Sequence, residues 1–371
     1  MSKINIRSPY FISVTTTNVT SAVLDLYIYT GTQVATITTP TYSLDVDAYK
    51  GRVDFEISQL IADYLDVSFD GVLDSQVVWV NYQVTEYISE VAQTPNAIVQ
   101  TVAFDGYGNF EDGINPQLSD RLLQSNTTEY VYDANYFYIP IQQDDLTQVD
   151  LKYQGSVIDT ETFTATTDSA DVIRYVAYTN PSVCTGTVNY LFEDRADYLF
   201  EDSNVFVFSN TAMIDEILIT YSDASTQSIS IETIEEAKYT PYRITFVNKF
   251  GVLQSVWMFK RSDLTMQIES EKYRSYTLEN GTYSTAKHQY RNLMVSGKQA
   301  ISLNSGFYPE TYNIVFEQLV LSEKVWIDYE GNLLPVNLKS NELAYKTRLN
   351  DKLINYKLDF EFAFDKINSI Y

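Results

Sequence analysis

His288 is the only imidazole and Cys184 the only thiol in the 371 residues. His288 lies in Thr285-Ala286-Lys287-His288-Gln289-Tyr290, with no Gly-x-Ser-x-Gly elbow elsewhere, which is the setting of an exposed side chain rather than of a general base. Cys184, between Pro181 and Gly186, has no activating neighbour and reads as an inert turn residue. One Cys and one His exclude an internal disulfide and a zinc site built on Cys and His. Paired carboxylates about 5 to 10 Å apart would suit glycoside hydrolysis. With 49 acidic residues, however, almost any pairing is available and the signal is uninformative. Gly106-Tyr107-Gly108 lacks the third Gly and the helix-borne Lys of a phosphate loop. The acidic stretch Phe104 to Pro116 departs from EF-hand spacing, so it reads as a turn-rich exposed loop and not as a calcium site. The inventory points to no catalytic residue, no cofactor and no bound metal.

The elements that would carry these residues are mostly strands. At roughly 100 to 200 residues per domain the length implies two or three domains, and 45% hydrophobic with 20% charged residues describes a folded chain. The excess of aromatics, 31 Tyr and 19 Phe, suits half-buried sheet faces and large interfaces. The fold class expected is mainly β: several domains of β-sandwich or β-barrel-like modules with two short amphipathic helices.

Residues 1–105 read as an immunoglobulin- or fibronectin-like sandwich with strands at 10–16, 22–29, 33–38, 42–46, 51–57, 76–88 and 97–104. One helical insertion is marked by Ile57, Leu60, Ile61, Tyr64 and Leu65, with Ser58 near its N-cap. Residues 106–237 form an acidic β-rich domain with strands at 129–141, 148–154, 172–178 and 205–208, and a Thr-rich connection at 160–167. Residues 238–371 form a C-terminal β domain that reads as a docking module. Its strands are 243–247 and 252–259 around Asn248-Lys249-Phe250-Gly251, then 326–329 and 333–338, and a long two-faced strand at 354–365. Its helix, 309–321, opens after Pro309 and carries the stripe Tyr312, Val315, Phe316, Leu319, Val320.

Charge separates the chain into two parts. Residues 1–237 hold 8 basic and 35 acidic side chains, net −27; residues 238–371 hold 17 and 14, net +3. Such a surface repels phosphate backbones. A tandem repeat, Tyr190-Leu191-Phe192-Glu193-Asp194 and Tyr198-Leu199-Phe200-Glu201-Asp202, concentrates aromatics beside carboxylates. Tyr190, Phe192, Tyr198 and Phe200, with Trp257 and Trp326, are the interface candidates. No apolar run approaches the roughly 18 to 20 residues that span a bilayer. The chain therefore reads as a soluble protein made in a cytoplasm, without a membrane anchor.

Four segments carry a resemblance: Ser8-Pro9-Tyr10-Phe11-Ile12, Phe104-Asp105-Gly106-Tyr107-Gly108, the hairpin Tyr242 to Gly251 and the ending Tyr356 to Ile370. They look like virion structural proteins of tailed bacteriophages, especially phages of Bacteroidetes-type hosts. The helix followed by Lys324-Val325-Trp326-Ile327, Gly331, Pro335-Val336 and a terminal strand is also similar to the ends of some baseplate and distal-tail proteins. The resemblance implies a non-enzymatic subunit of a tail, neck or baseplate, located in the virion and synthesised in the host cytoplasm. Its partners would be copies of itself in a ring or other symmetric assembly and other virion proteins, with DNA passing but not specifically bound. The alternative is a carbohydrate-binding adhesin or receptor-binding module of a tail fibre or spike, in which Trp79, Trp257 and Trp326 stack on sugars. Each of these Trp residues sits in an apolar alternating run, the pattern of a core residue. Assembly that strengthens with salt would mean that like-charged faces meet; weakening with salt would mean a basic partner.

Overall fold

The computed structural model describes residues 2–34, 39–74, 76–117, 121–132, 136–163, 172–179, 205–207, 213–278, 280–340 and 353–366. The protein is mainly β, 54% strand and 7% helix, in several sheets, and none of them closes into a barrel among the described residues. Two compact units form. The first comprises Met1–Glu235, Thr245–Val256 and Ile314–Ser322; the second comprises Glu236–Ile244, Trp257–Asn313 and Glu323–Tyr371.

The first unit holds two hydrophobic cores. One gathers β1 (Ser2–Asn5), β2 (Phe11–Val14), β3 (Val19–Tyr29), β4 (Tyr42–Asp47), β5 (Val53–Glu56), β6 (Val78–Ile88), β7 (Val91–Ala92) and β8 (Val99–Phe104). Its larger sheet runs β1-β8-β6-β3-β4 with β7 on β6, and β2 pairs with β5 in a second sheet. Period-two side-chain alternation sets both faces. Ala22, Leu24 and Leu26 of β3 point inward with Tyr42, Leu44 and Val46 of β4, while Ser43, Asp45 and Asp47 stay exposed. Ile12, Val14, Val53 and Phe55 of the smaller sheet join that same core. Helix α1 (Ser58–Ala62) contributes Ile61, with Ile57 and Leu65 flanking it. The N-cap is Ile57 rather than Ser58, and Ser58 instead uses its hydroxyl and N–H on the Glu56 carboxylate.

The other core is built from β9 (Thr128–Val131), β10 (Tyr136–Gln142), β11 (Leu146–Tyr153), β13 (Ile173–Thr179), β15 (Glu216–Tyr221) and β16 (Thr226–Thr233), while β12 (Ser156–Thr162) pairs with β11 and β14 (Val205–Val207) with β13. One sheet runs β12-β11-β15-β16-β9 and another β10-β13-β14. The single strand expected at 129–141 is therefore two strands in different sheets; between them the sequence carries Asp133-Ala134-Asn135, types that favour turns. Part of the stretch read as a Thr-rich connection, up to Thr162, is the edge strand β12. Residues 35–38, which include most of the strand expected at 33–38, lie outside the described residues, and Gln33 and Val34 are not in a strand.

The hairpin of β17 (Tyr242–Val247) and β18 (Leu253–Met258) falls where expected. In the second unit β19 (Asp263–Arg274), β20 (Tyr290–Asn304), β22 (Val325–Tyr329), β23 (Asn332–Leu338) and β25 (Lys357–Asp365) form the order β22-β23-β25-β20-β19, and short β21 (Tyr308–Pro309) pairs with β24 (Leu353–Ile354). The strand expected at 354–365 is interrupted at Asn355–Tyr356. There Tyr356 takes a hydrogen bond from Ser305 N to its carbonyl (2.8 Å) and donates its hydroxyl to Asn313 Oδ1 (2.6 Å). Beyond the break the predicted alternation holds, with Leu358, Phe360 and Phe362 buried. The helix begins as a 3-10 turn, Glu310–Tyr312, and continues as α2 (Asn313–Val320), which buries Val315, Phe316 and Leu319.

The turn of the β17–β18 hairpin is packed against backbone. Gly251 has φ +76°, and a Cβ there would lie 2.5 Å from the carbonyl carbon of Asp105 and 2.6 Å from Gly106 N. Gly155, in the β11–β12 turn of the same unit, has φ +76° with nothing within 4 Å. Gly155→Ala should cost only the left-handed conformation, about 1–2 kcal/mol. Gly251→Ala adds a backbone clash that cannot be relieved by a rotamer change, for a total of about 2–5 kcal/mol. Thermal unfolding of the two variants side by side checks this, and equal losses would refute the close approach.

Candidate functional site

Of the residues singled out for chemistry or contact, His288, Trp79, Trp257 and Trp326 fall within the described residues. His288 is exposed, in the segment that joins β19 to β20. Cys184 lies outside the described residues, as do Tyr190, Phe192, Tyr198 and Phe200. Among the described residues no three His, Cys, Asp or Glu side chains come close enough to hold a metal ion. A shallow polar cleft is lined by Lys298, Asn337, Glu361 and Phe362. Its carboxylate, Glu361, is held below the ordinary range by Lys339 (2.7 Å) and Lys298 (3.7 Å), so it stays ionised and is not available as an acid near neutral pH. Trp79 and Trp257 are buried. The Trp79 indole donates to Gly31 O (2.8 Å), the Trp257 carbonyl accepts from Tyr308 OH (2.8 Å), and Trp326 is half-buried in β22 opposite Pro335.

The structure does bring together three of the motifs that carried the resemblance. Within the first unit, Arg7 N donates to Gly106 O (3.1 Å), Gly108 N to the Ser8 hydroxyl (2.8 Å) and Tyr107 N to Lys249 O (3.0 Å). Asp105 and Gly106 are buried, so the exposed part of that loop begins only at Asn109. Asp112 accepts from Asn109 N (2.8 Å) and pairs with Lys249 Nζ (3.3 Å); both hold its carboxyl below the usual range.

Behind the hairpin turn lies a buried polar chain. Asn248 Nδ2 donates to Leu123 O (2.8 Å) and Gln254 Oε1 (3.0 Å), Gln254 Nε2 to Asn126 Oδ1 (2.7 Å), and Asn126 Nδ2 to Glu129 Oε2 (3.0 Å). Gln318, on α2, adds a bond from its amide to the Ser125 hydroxyl (2.7 Å), and the Tyr175 hydroxyl accepts from Leu253 N (3.1 Å). Glu129 is the end of this chain and forms no ion pair among the described residues. Burial pushes its carboxyl up to about 8, against the smaller opposing effect of the Asn126 amide. The network satisfies the polar groups of a turn taken out of water and fixes its position.

A long unburied feature lies in the second unit. β19 and β20 form an antiparallel ribbon, registered from Asp263↔Ser302 to Arg274↔Tyr290, with a bulge between Glu271 and Lys272. β19 is the edge of its sheet and is exposed along nearly its whole length. Leu264, Met266 and Ile268 project from one face, with Ile268 66% exposed; Leu293 is 69% exposed. Beyond the bulge, Tyr276 and Tyr283 are 79% and 70% exposed. Exposed apolar side chains in such a row are unusual outside interfaces, and a long open edge invites pairing. The sequence reading misses this ribbon because with water on both faces no single buried face imposes a clean alternation. The signal available was the run Leu264-Thr265-Met266-Gln267-Ile268 alone.

Comparison with known proteins finds no family model that matches the chain and no matching curated protein.

The state of Glu129 couples the hairpin network to pH. Its folded value lies above its unfolded one, so the contribution is complete below about 4.5, the ordinary carboxyl value, and is lost as pH rises through about 8. Over that window stability should fall by up to about 1.4 kcal/mol per pH unit relative to Glu129→Gln, whose neutral amide keeps the oxygen that Asn126 bonds. Denaturant midpoints of both proteins across the window test this; parallel pH profiles would contradict it.

Proposed function

We propose that the chain is a non-enzymatic structural subunit of a tailed-phage virion that assembles into a tail, neck or baseplate through its β-rich domains. The observation that carries this is the β19–β20 ribbon: an edge strand of 12 residues, exposed with Leu264, Met266 and Ile268 on one face. An element of that kind gains free energy by docking, because it removes apolar area from water and closes an unpaired edge. The phage reading starts from the resemblance of the Ser8, Phe104–Gly108 and hairpin motifs, which meet at one junction of the first unit. The acidic first part of the chain, net −27, suits a surface past which DNA slides without binding.

Building blocks of this kind act by shape and charge, and carboxylates such as Glu361 and Asp112 are committed to ion pairs. The adhesin reading loses support from the burial of Trp79 and Trp257, whose rings are not presented to a sugar. Light scattering on the purified chain over a range of concentrations tests the proposal. A discrete oligomer of ring-like size is the expected result. A strict monomer that binds glycans would overturn it.

A further inference from the structure

Past its bulge the ribbon changes character. Between Lys272 and Asn292 it carries Lys272, Arg274, Lys287 and Arg291 against Glu279 alone, net +3, in a chain whose total is −24. Lys272, Arg274 and Arg291 are exposed and form no ion pair among the described residues. Tyr273 is registered with Arg291 and Arg274 with Tyr290, so neighbouring cross-strand pairs put one Tyr and one Arg on each face of the ribbon. Tyr276, Tyr283 and Tyr290 are all more than half exposed. Tyr and Arg are the types that dominate binding energy at protein interfaces, because each brings apolar area with a polar handle. The proximal, apolar half of the ribbon is about 20 Å long at ~3.4 Å per residue, which sets the tip apart as a separate contact.

We infer that the Tyr- and Arg-bearing tip of the β19–β20 ribbon docks on the acidic first unit of a second copy of this chain. Charge complementarity selects that occupant. Residues 1–237 carry net −27, and β4, which ends its sheet among the described residues, presents Asp45 and Asp47, exposed and without an ion pair among those residues. A basic tip on one copy and an acidic face on the next make a head-to-tail contact, which closes into a ring or extends as a filament according to the rotation between copies. Such a contact forms faster and tighter at low salt. The inference rests on the assembly reading above and adds the element and the surface that make the contact.

The test uses the full chain with Tyr276 replaced by a photo-crosslinking phenylalanine analogue, mixed with an unmodified, differently tagged copy and irradiated while mass is followed by light scattering. The expected product is an interchain crosslink from the tip to peptides within residues 1–235 of the other copy. It should be suppressed by added salt and lowered about tenfold or more by Lys272→Glu, Arg274→Glu and Arg291→Glu together. Circular dichroism of that exposed-residue variant confirms that it folds. A discrete oligomer whose tip crosslinks land in the second unit, or whose crosslinking rises with salt, would overturn the docking surface and leave the assembly reading standing. A monomer without interchain crosslinks would overturn both.

Discussion

The first unit depends on a turn that must be buried although it is made of polar backbone. Asn248 to Gly251 sits with its carbonyls and N–H groups against Asp105, Gly106 and Tyr107, where water cannot satisfy them. Two devices make this tolerable: a glycine at positive φ, so that two backbones touch, and amide side chains whose oxygens accept from the turn, Asn248 Oδ1 from Phe250 N (2.9 Å) and Gln318 Oε1 from Lys249 N (3.4 Å). Each buried bond replaces one with water and gains only about 1 kcal/mol, but leaving one unmade costs about 1–3 kcal/mol. The network is therefore less a source of stability than a condition on where the hairpin can sit. Its terminal carboxyl, Glu129, is pushed up to about 8 by burial, which outweighs the opposing hydrogen bond from Asn126 and keeps it protonated at neutral pH.

The second unit shows the opposite treatment of a sheet. β25 is covered on one face, with Leu358, Phe360 and Phe362 buried, and β20 carries Ile301 and Leu303 into the same interior. Further along β20 and throughout β19 this burial stops, and the ribbon continues with its hydrogen bonds intact but its side chains in water. A two-stranded hairpin in water is marginal by itself. Here its base is held as part of a larger sheet, which fixes its register while leaving its edge open. Burial at the root and exposure at the tip are what an interaction element needs: order before binding, and apolar area still to be covered.

Much of this was legible from sequence wherever one face of an element is buried. The strands β3, β4 and β6 and the helix near 309–321 follow the period-two or helical spacing of their apolar residues, while β17 and β18, buried on both faces, are marked by the Asn248–Gly251 turn between them. β15 and β16, absent from the sequence reading, obey the same rule through Ile217, Ile219, Tyr221, Ile229 and Ile231. Other features were out of reach. β1 pairs parallel to β8, a contact about a hundred residues away that four residues of sequence cannot announce. The strand run expected at 129–141 divides because sheet membership is a tertiary property. Of the functional features, the sequence marked Gly251, Gly106 and the hairpin as unusual but not that they meet. It also passed over the ribbon, whose exposure is invisible to any method that looks for buried faces. Composition alone gives one His and one Cys, which excludes an internal disulfide.

The central claim is that the β19–β20 ribbon is the element that makes assembly contacts. Hydrogen–deuterium exchange of peptides from residues 263–304, compared between dilute chain and the concentrated state, tests it most directly. The account predicts that exchange in these peptides slows as mass increases, as the open edge and the tip become covered. If mass increases while exchange of the ribbon is unchanged and other strands become protected instead, the claim is wrong.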